Sequence, residues 1–327
     1  GVHILKKAVG INGKLASSDL PLTLEGESGA VLRAEGEGIP GVRRGLVEIE
    51  SSTHVTVKNI AVENSSFFGI SVQNSEDIRV LNNRSTVSLA SGIYAKNAKR
   101  VTVEGNDVSR FCDRNAAGSG PGTLCQEGIS IINVDGFSVQ ENLVHDAPQS
   151  LGVGPGGGEG IDIKAGSKNG VVAFNKVWNL VQLGIYVDGW SQGVTNVSIH
   201  GNRVWNTYMG IVVSSEMGGT VADISIFNNI VHDVGVDGIH ISSFKSGDGG
   251  DGLRTRLSIY NNTIVNAGIK EAKPPFYALW SPVPFPDGGT GIKVTTTNVS
   301  DLQVFDNIVA GSNPMAAVDM GSNSFRL

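Results

Sequence analysis

The chain has 327 residues, of which 44 are Gly and 26 are Asn, while only 17% are charged. This composition indicates many turns and few surface helices. A formal net charge of −6, with no basic cluster, argues against nucleic acid as a partner. No apolar run is long enough to cross a membrane, and residues 1–7 lack the layout of a signal peptide, so we expect a soluble chain with no membrane partner.

A short β-rich run that ends in Asn recurs along the chain, as in residues 54–59, 196–202 and 223–229. The nine repeated residues are Asn59, Asn83, Asn106, Asn142, Asn175, Asn202, Asn229, Asn262 and Asn307. Most are followed two positions later by an apolar residue, and then by a run that begins Gly-Ile. Each repeat therefore predicts at least two strands.

Strands so close in sequence cannot be parallel partners of each other, because a parallel crossover needs about a dozen residues or more. They must pair instead with the equivalent strands of the next repeat, about 4.8 Å away. The sequence therefore predicts an all-β fold, a single right-handed parallel β-helix of about ten coils. We expect the repeated Asn to adopt the left-handed conformation at a corner and to bond the next Asn through its amide.

The expected organisation is one domain over residues 1–327, with irregular coils at 1–52 and regular coils at 53–327. Four segments are predicted to be insertions into the regular coils: 110–126, 147–158, 244–255 and 268–289. Three of them precede a Gly-Ile strand, whereas 244–255 follows one. Loops that leave a rigid rod from two corners predict a walled groove along the outer face of the Gly-Ile strands.

Two cysteines, Cys112 and Cys125, flank a polar segment that burial alone would not order. We predict that they form a disulfide, with two free thiols as the alternative. Because disulfides persist mainly in exported proteins, the pair predicts a secreted or periplasmic protein whose export signal has been removed. We expect a monomer.

The outer face of the Gly-Ile strands is the expected place of function. Side chains alternate across a strand, so the residues two and four positions after each Gly face away from the core. On the middle coils, the ionisable or phenolic residues at or beside these positions are Glu127, Glu159, Asp162, Lys164, Tyr186, Asp188 and Glu216. Such a cluster favours a site of perturbed pKa, although an ordinary exposed pair of Lys164 with Asp188 also fits. His240, one coil beyond Val212, is a further candidate.

One segment, Glu159-Gly-Ile-Asp-Ile-Lys164-Ala-Gly-Ser-Lys-Asn169, resembles the family 6 polysaccharide lyases, parallel β-helices of the alginate lyase and chondroitinase B type. The resemblance implies that Lys164 is a Brønsted base and that Glu159 binds calcium. The chain departs from that family at Asp188, where the lyases have Arg, and at Gly157, where they have Glu. A weaker resemblance to the family 9 pectate lyases also implies a lysine base and calcium.

A second segment, Gly184-Ile-Tyr-Val-Asp188-Gly-Trp, is similar to the nucleophile strand of the family 120 glycoside hydrolases, which are β-helical xylosidases. The resemblance implies that Asp188 is a nucleophile and that Glu216 is the second carboxylate. Retaining hydrolysis needs two carboxyl groups about 5 to 5.5 Å apart, a separation that adjacent coils supply.

The leading hypothesis from the sequence is an exported enzyme that cleaves a uronate-containing polysaccharide by β-elimination. In this hypothesis, Lys164 removes the proton from the carbon next to the uronate carboxylate. Tyr186 or His240 then protonates the leaving oxygen. The alternatives are a retaining glycoside hydrolase and a β-helix that binds glycan without cutting it. A polysaccharide or oligosaccharide is the expected partner in every case.

Calcium is the candidate cofactor of the lyase hypothesis. Glu127, Glu159 and Asp162 offer the hard oxygen ligands that Ca²⁺ prefers. A bound cation would also offset their negative charge, which otherwise raises the pKa of Lys164 and keeps it from acting as a base.

Overall fold

The computed structural model describes residues 1–36, 38–113, 125–147, 157–268, 289–312 and 318–319. Within these ranges all regular elements are β-strands, and the strands pair in parallel. None of the described residues forms a helix of the length and apolarity needed to cross a membrane. The strands fall into three rows, and successive coils add strands to each row in turn.

Row A contains the strands that follow the Asn corners. Its eleven strands are β1 (Val2–Leu5), β4 (Val31–Ala34), β7 (Ala61–Ser65), β10 (Arg84–Ser88), β12 (Asp107–Phe111), β14 (Leu143–Ala147), β17 (Lys176–Leu180), β20 (Arg203–Trp205), β23 (Ile230–Val234), β26 (Thr263–Ala267) and β29 (Ile308–Ala310).

Row B contains the Gly-Ile strands and carries the candidate site. Its members are β2 (Val9–Asn12), β5 (Gly45–Glu50), β8 (Phe68–Gln73), β11 (Ile93–Glu104), β13 (Ile129–Gln140), β15 (Ile161–Lys164), β18 (Leu183–Asp188), β21 (Met209–Ser214), β24 (Ile239–Ile241), β27 (Ile292–Val294) and β30 (Val318–Asp319).

Row C completes each coil. It contains β3 (Leu22–Glu25), β6 (Thr53–Lys58), β9 (Glu76–Leu81), β16 (Lys168–Ala173), β19 (Val194–His200), β22 (Val221–Phe227), β25 (Arg254–Tyr260) and β28 (Val299–Phe305). The long strands β11 and β13 bend, so that their second halves pair with β9 and β16 and also lie in row C.

One apolar core runs through the coils, because alternate residues of each strand point inward. In β15, Ile161 and Ile163 are fully buried in this core, and Asp162 between them faces outward. The Gly before each Ile fits a tight corner. At Gly184, a Cβ atom would lie 2.3 Å from Cγ1 of Val204 and 2.8 Å from the carbonyl oxygen of Gly210, so only glycine fits there.

A ladder of buried amides joins the coils at the corner between rows C and A. Nδ2 of Asn106 donates to Oδ1 of Asn142 at 2.9 Å, and the backbone N–H of Asn106 donates to the same oxygen at 3.0 Å. The residues that form this ladder are Asn83, Asn106, Asn142, Asn175, Asn202, Asn229, Asn262 and Asn307. The predicted ladder is therefore confirmed for these eight positions.

Two details of the predicted corner are wrong. The left-handed residue is the one before the ladder position, as at Asn228 and Asn261, both with φ of 54°. At the first corner, Asn59 is the left-handed residue, and Ile60 occupies the ladder position, where its N–H donates to Oδ1 of Asn83 at 3.1 Å. Each corner thus needs two adjacent residues with different tasks, which one repeated Asn cannot perform alone.

The predicted disulfide between Cys112 and Cys125 is confirmed. Residues 1–52, expected to be irregular, already contribute regular strands, since β1 pairs with β4, β2 with β5 and β3 with β6. Segment 244–255 leaves row B after β24 and reaches β25, as expected. Most of 110–126, 147–158 and 268–289 lies outside the described residues, so the groove walls that they were expected to form stay a prediction.

Candidate active site

The outer face of row B brings the predicted site residues together on neighbouring coils. Ser130 stacks on Asp162, and Asp162 on Tyr186, and none of the three is more than 4% exposed. Apolar residues flank this polar strip on both sides: Phe67, Phe68, Ala90 and Tyr94 at one end, and Leu183, Met209, Val212 and Val236 at the other. The face predicted to line an open groove is thus largely buried, where charges interact strongly.

Lys164 forms its ion pairs with the preceding coil and with its own strand. Its ammonium group donates to Oε1 of Glu127 and lies 2.8 Å from Oδ2 of Asp162. Asp188 is its neighbour in register on β18, but is not one of its ion-pair partners in the described part of the chain. The alternative of an ordinary exposed pair of Lys164 with Asp188 is therefore wrong, because buried carboxylates on the preceding coil and on its own strand bind the ammonium. We call Glu127, Glu159, Asp162 and Lys164 the lysine cluster.

The carboxylates of this cluster keep Lys164 protonated. Burial lowers the pKa of Lys164, but the negative charges of Asp162, Glu127 and Glu159 together outweigh burial and raise the pKa well above its usual value. A base must present a free amine to its substrate. The arrangement therefore does not favour Lys164 as the base of a β-elimination.

The carboxyl groups of this cluster have pKa values that are shifted in different directions. Burial, followed by the charge of Glu127, raises the pKa of Glu159 to about 8, so this carboxyl group keeps its proton at neutral pH. Burial would raise the pKa of Glu127 too, but the ammonium of Lys164 and a 2.5 Å hydrogen bond from Oγ of Ser130 lower it. Burial holds the pKa of Asp162 well above its ordinary value.

The three predicted calcium ligands meet in this cluster, but their charges are already engaged. Oε2 of Glu159 and Oδ1 of Asp162 are buried and have no hydrogen-bond partner among the described residues, which is an environment that a cation could satisfy. The ammonium of Lys164 nevertheless binds Glu127 and Asp162. In the described ranges, no group of three or more His, Cys, Asp or Glu side chains is arranged to hold a metal ion. The residues fit the ammonium group rather than calcium, and calcium binding stays a prediction.

Asp188, at the end of β18, is held by backbone donors. Its Oδ1 accepts the N–H of Trp190 at 2.9 Å and the N–H of Glu216 at 3.2 Å, and its side chain is 2% exposed. Burial raises the pKa of Asp188, while the two N–H groups and the charges of Lys164 and Arg254 oppose that rise. Both hydrogen bonds from described residues engage Oδ1, which leaves Oδ2 to meet a ligand.

Glu216 follows β21 and is bound by the phenol of Tyr186. Oη of Tyr186 donates to Oε1 of Glu216 at 2.5 Å. Burial raises the pKa of Glu216, the hydrogen bond from Tyr186 lowers it, and the charge of Asp188 raises it, with a net rise. Burial and the charges of Asp188 and Glu216 raise the pKa of Tyr186 well above its usual value, so it stays a donor. We call Tyr186, Asp188 and Glu216 the Asp188 group.

His240 lies further along the same face, and its contacts are with the last coils. Its Nδ1 is 3.1 Å from Oδ2 of Asp237, and its Nε2 is 2.9 Å from Oγ1 of Thr295. Val212 separates it in register from Tyr186. The structure thus brings seven of the eight predicted residues together, in the lysine cluster and the Asp188 group, and leaves His240 apart.

Arg254 is a functional neighbour that the sequence did not reveal. Its side chain is fully buried, and its guanidinium donates to the carbonyl oxygen of Ser242 at 2.6 Å and to Oδ1 of Asp251. These bonds anchor segment 244–255 beside row B, and the positive charge helps to hold down the pKa of Asp188. Because arginine is rarely buried, the sequence pattern gives no reason to expect that the side chain of Arg254 is buried.

Two surface depressions lie near the middle coils. One, of about 340 Å³, borders the site, with Lys164 and Trp190 in its wall. The other, of about 530 Å³, lies on the outer face of row C, where Arg100 is already paired with Asp77 and Glu76. We place the candidate site at the smaller one, because its wall includes Lys164, which is bound by the buried acids Glu127 and Asp162.

Comparison with known proteins supports the architecture. A family model described as right handed beta helix region matches residues 38–195. No curated protein matches the chain. Solved structures with a similar fold include an exopolygalacturonase from Thermotoga maritima, with a TM-score of 0.59 and 12% identity over 95% of this chain and 84% of that chain.

Two further structures resemble this one. A variant of a periplasmic alginate epimerase has a TM-score of 0.56 and 14% identity over 94% of this chain and 78% of that chain. An alginate lyase from a Paenibacillus species has a TM-score of 0.51 and 13% identity over 98% of this chain and 91% of that chain. Identities this low show the fold, which agrees with the parallel pairing of all three rows. The chain is a right-handed parallel β-helix protein.

Proposed function

We propose that the protein is a polysaccharide-degrading enzyme, and that its reaction is retaining glycoside hydrolysis with Asp188 as nucleophile and Glu216 as general acid and base. Its structural neighbours include proteins named for action on polygalacturonate and alginate, which supports a polysaccharide substrate. Those neighbours include a lyase, an epimerase and a hydrolase, so the choice of reaction must come from the site itself.

The observation that carries the choice is the different charge state of the two groups. In the lysine cluster, the ammonium of Lys164 is bound by Glu127 and Asp162, and its pKa is raised. In the Asp188 group, two carboxyl groups on successive coils have raised pKa values and retain oxygens that can meet a substrate. Retaining hydrolysis needs one ionised and one protonated carboxyl group. The two backbone N–H groups favour the ionised form of Asp188, and burial with the charge of Asp188 favours the protonated form of Glu216. Elimination by lysine needs a free amine instead.

In the first step, Oδ2 of Asp188 attacks the anomeric carbon of the sugar. Two backbone N–H groups hold Oδ1, so the carboxylate is already oriented. As the bond from that carbon to the glycosidic oxygen breaks, Glu216 gives its proton to the departing oxygen. The products are a shortened glycan and a glycosyl ester on Asp188.

In the second step, Glu216 acts as a base. It removes a proton from a water molecule, whose oxygen attacks the anomeric carbon and displaces Asp188 as a carboxylate. Tyr186 donates to Oε1 of Glu216 throughout, which stabilises the charged form of Glu216 after the first step. Glu216 ends protonated, as it began, and the sugar keeps its anomeric configuration.

The lysine cluster has a binding role in this scheme. Protonated Glu159 and the ammonium of Lys164 are hydrogen-bond donors beside the Asp188 group. Sugar hydroxyls accept such bonds. The cluster thus offers hydrogen-bond donors to the ring whose bond is broken.

Product analysis over a panel of acidic and neutral polysaccharides tests the proposal. We expect new reducing ends without ultraviolet absorbance from an unsaturated sugar, and an anomeric proton signal that first appears with the configuration of the substrate. Asp188→Asn should form no product, while the control Asp135→Asn, an exposed residue of row C, should match the parent. Unsaturated products would show that the reaction is elimination and not hydrolysis. Turnover by Asp188→Asn would show that Asp188 is not the nucleophile.

A further inference from the structure

The depression of about 340 Å³ beside Lys164 differs in charge from the buried acids behind it. Its walls include Lys96, Asn133, Lys164, Trp190 and Gln192, and among the described residues that line it there is no Asp or Glu. An indole, amide groups and cations together form a surface on which sugars with a negative charge bind well.

The depression exists because an outer ladder of amides stops at one coil. At the corner between rows B and C, Nδ2 of Asn133 donates to Oδ1 of Asn97 at 2.9 Å. The next coil has Ala165 and Gly166 at this corner. A Cβ atom on Gly166 would lie 2.8 Å from Oδ1 of Asn133 and 2.8 Å from Oε1 of Gln192. The small residues therefore leave the amide groups of two other coils uncovered.

Trp190 is fixed at the rim of this depression. Its backbone is left-handed, with φ of 41°, a conformation that bulky residues adopt only when their surroundings hold them. Its N–H donates to Oδ1 of Asp188 at 2.9 Å, and its carbonyl oxygen accepts the N–H of Gly219 at 2.6 Å. Trp190 as a whole remains 37% exposed. It is therefore a fixed aromatic surface two residues from the proposed nucleophile.

Lys96 supplies a second positive charge to the wall of this depression. It lies on β11 in register with Ile132, which is in register with Lys164, so the two lysines are two coils apart. That separation is about 9 to 10 Å along the rod, roughly the length of two sugar rings. Among the described residues, Lys96 forms no ion pair, whereas Lys164 is bound by two carboxylates.

We propose that this depression is a subsite for a uronate-containing stretch of the substrate, in which one sugar ring packs against Trp190 and the carboxylate of a ring further along the glycan is bound by Lys96. The inference rests on the proposed function, because it places the acidic sugar three coils from Asp188, on the same glycan that Asp188 attacks. It names the substrate class as a glycan that contains uronate. The amide groups of Asn133 and Gln192 would bind ring hydroxyls.

Equilibrium binding to the Asp188→Asn variant tests this subsite without turnover, because Asn keeps the Oδ1 acceptor that holds Trp190. The probes are trimers of galacturonate and of mannuronate and their neutral methyl esters, measured by calorimetry. We expect at least one acidic trimer to bind about tenfold more tightly than its ester. Lys96→Gln should abolish that difference, and Lys99→Gln, which changes an exposed lysine of the same strand, should retain it.

Two results would overturn the subsite: equal affinity for all acidic trimers and their esters, or an acidic preference that survives Lys96→Gln. Trp190→Ala should weaken both acidic and neutral trimers, and unchanged affinity would remove the indole from the site. Failure of the hydrolase proposal would appear in the product analysis, as unsaturated products or as turnover by Asp188→Asn. The failure of the subsite and the failure of the proposed function can therefore be told apart.

Discussion

Two neighbouring groups on the outer face of row B contain the same kinds of side chain, but differ in how their charges are satisfied. In the lysine cluster, Lys164 forms ion pairs with both Glu127 and Asp162, so that its ammonium group is bound by other members of the cluster. In the Asp188 group, the charges have like neighbours, and hydrogen bonds from backbone and phenol hold one oxygen of each carboxylate. In the proposed reaction, the first arrangement stabilises the fold and orients the substrate, and the second carries out the chemistry.

The largest expected effect is the loss of activity when Asp188, the proposed nucleophile of the Asp188 group, is replaced. Asp188→Ala removes the nucleophile and should lower the turnover rate by about four orders of magnitude or more. Azide or formate should restore part of it, because a small anion can attack from the vacated side. Turnover with and without azide measures the effect, with Asp135→Ala as control. If anions restore nothing, Asp188 is not the nucleophile.

Glu216→Ala should reduce turnover by about two to four orders of magnitude, since general acid catalysis is worth that much. The loss should be much smaller for an aryl glycoside, whose leaving group departs without a proton. Comparing turnover of a natural oligosaccharide with that of a nitrophenyl glycoside measures this difference. Equal losses on both substrates would assign Glu216 a structural role.

Lys164→Met should mainly lower the stability of the fold, whereas substitution of Asp188 should mainly lower activity. Breaking a buried ion pair leaves the carboxylates of Glu127 and Asp162 uncompensated, so the free energy of unfolding should fall by about 3 to 5 kcal/mol. Denaturant unfolding measures it, with Lys99→Met as the control. By contrast, Asp188→Asn should leave the unfolding midpoint nearly unchanged.

The stability loss in Lys164→Met should depend on pH. Lys164 lowers the pKa of Glu127 in the folded state, so its contribution is fully present above the ordinary Glu value of 4.5 and is lost as the pH falls through the lowered folded pKa. The two unfolding curves should therefore converge in acid. If the difference in unfolding free energy between the parent and Lys164→Met stays constant down to low pH, Glu127 is not the partner through which Lys164 stabilises the fold.

The smallest effect expected is a shift of the pH profile in Tyr186→Phe. The phenol lowers the pKa of Glu216, so its removal should raise that pKa. Because the first step needs protonated Glu216, the falling alkaline limb of kcat/KM should move to higher pH. An unchanged limb would mean that the hydrogen bond from Tyr186 does not tune the acid.

The fold was predictable because its signals are local and repeated. Gly-Ile and Asn recur in each coil, and parallel pairing with the next coil follows from strand spacing alone. The corner was predicted less well, because a repeat of Asn does not say which of two adjacent residues is left-handed, as Asn59 and Ile60 show. Backbone conformation at a corner is decided jointly with the coil above.

The site was predictable as a set of residues, but its pairing was not. Side-chain alternation places Asp162, Lys164, Tyr186 and Asp188 on one face, as found. The direction in which the long side chain of Lys164 bends depends on the buried carboxylate of Glu127, a coil away. The buried Arg254 likewise owes its place to Asp251 and the carbonyl oxygen of Ser242. Such choices are set by burial and total charge rather than by strand register.

Trapping the covalent intermediate tests the central claim most directly. Glycosides of 2-deoxy-2-fluoro sugars, chosen from the substrates that the product panel identifies, form the ester quickly and release it slowly when the leaving group is activated. After digestion, mass spectrometry should find one peptide heavier by the fluorosugar, with the modification on Asp188. A label on another carboxylate, or a parent enzyme that turns over these substrates without forming any ester, would contradict the account.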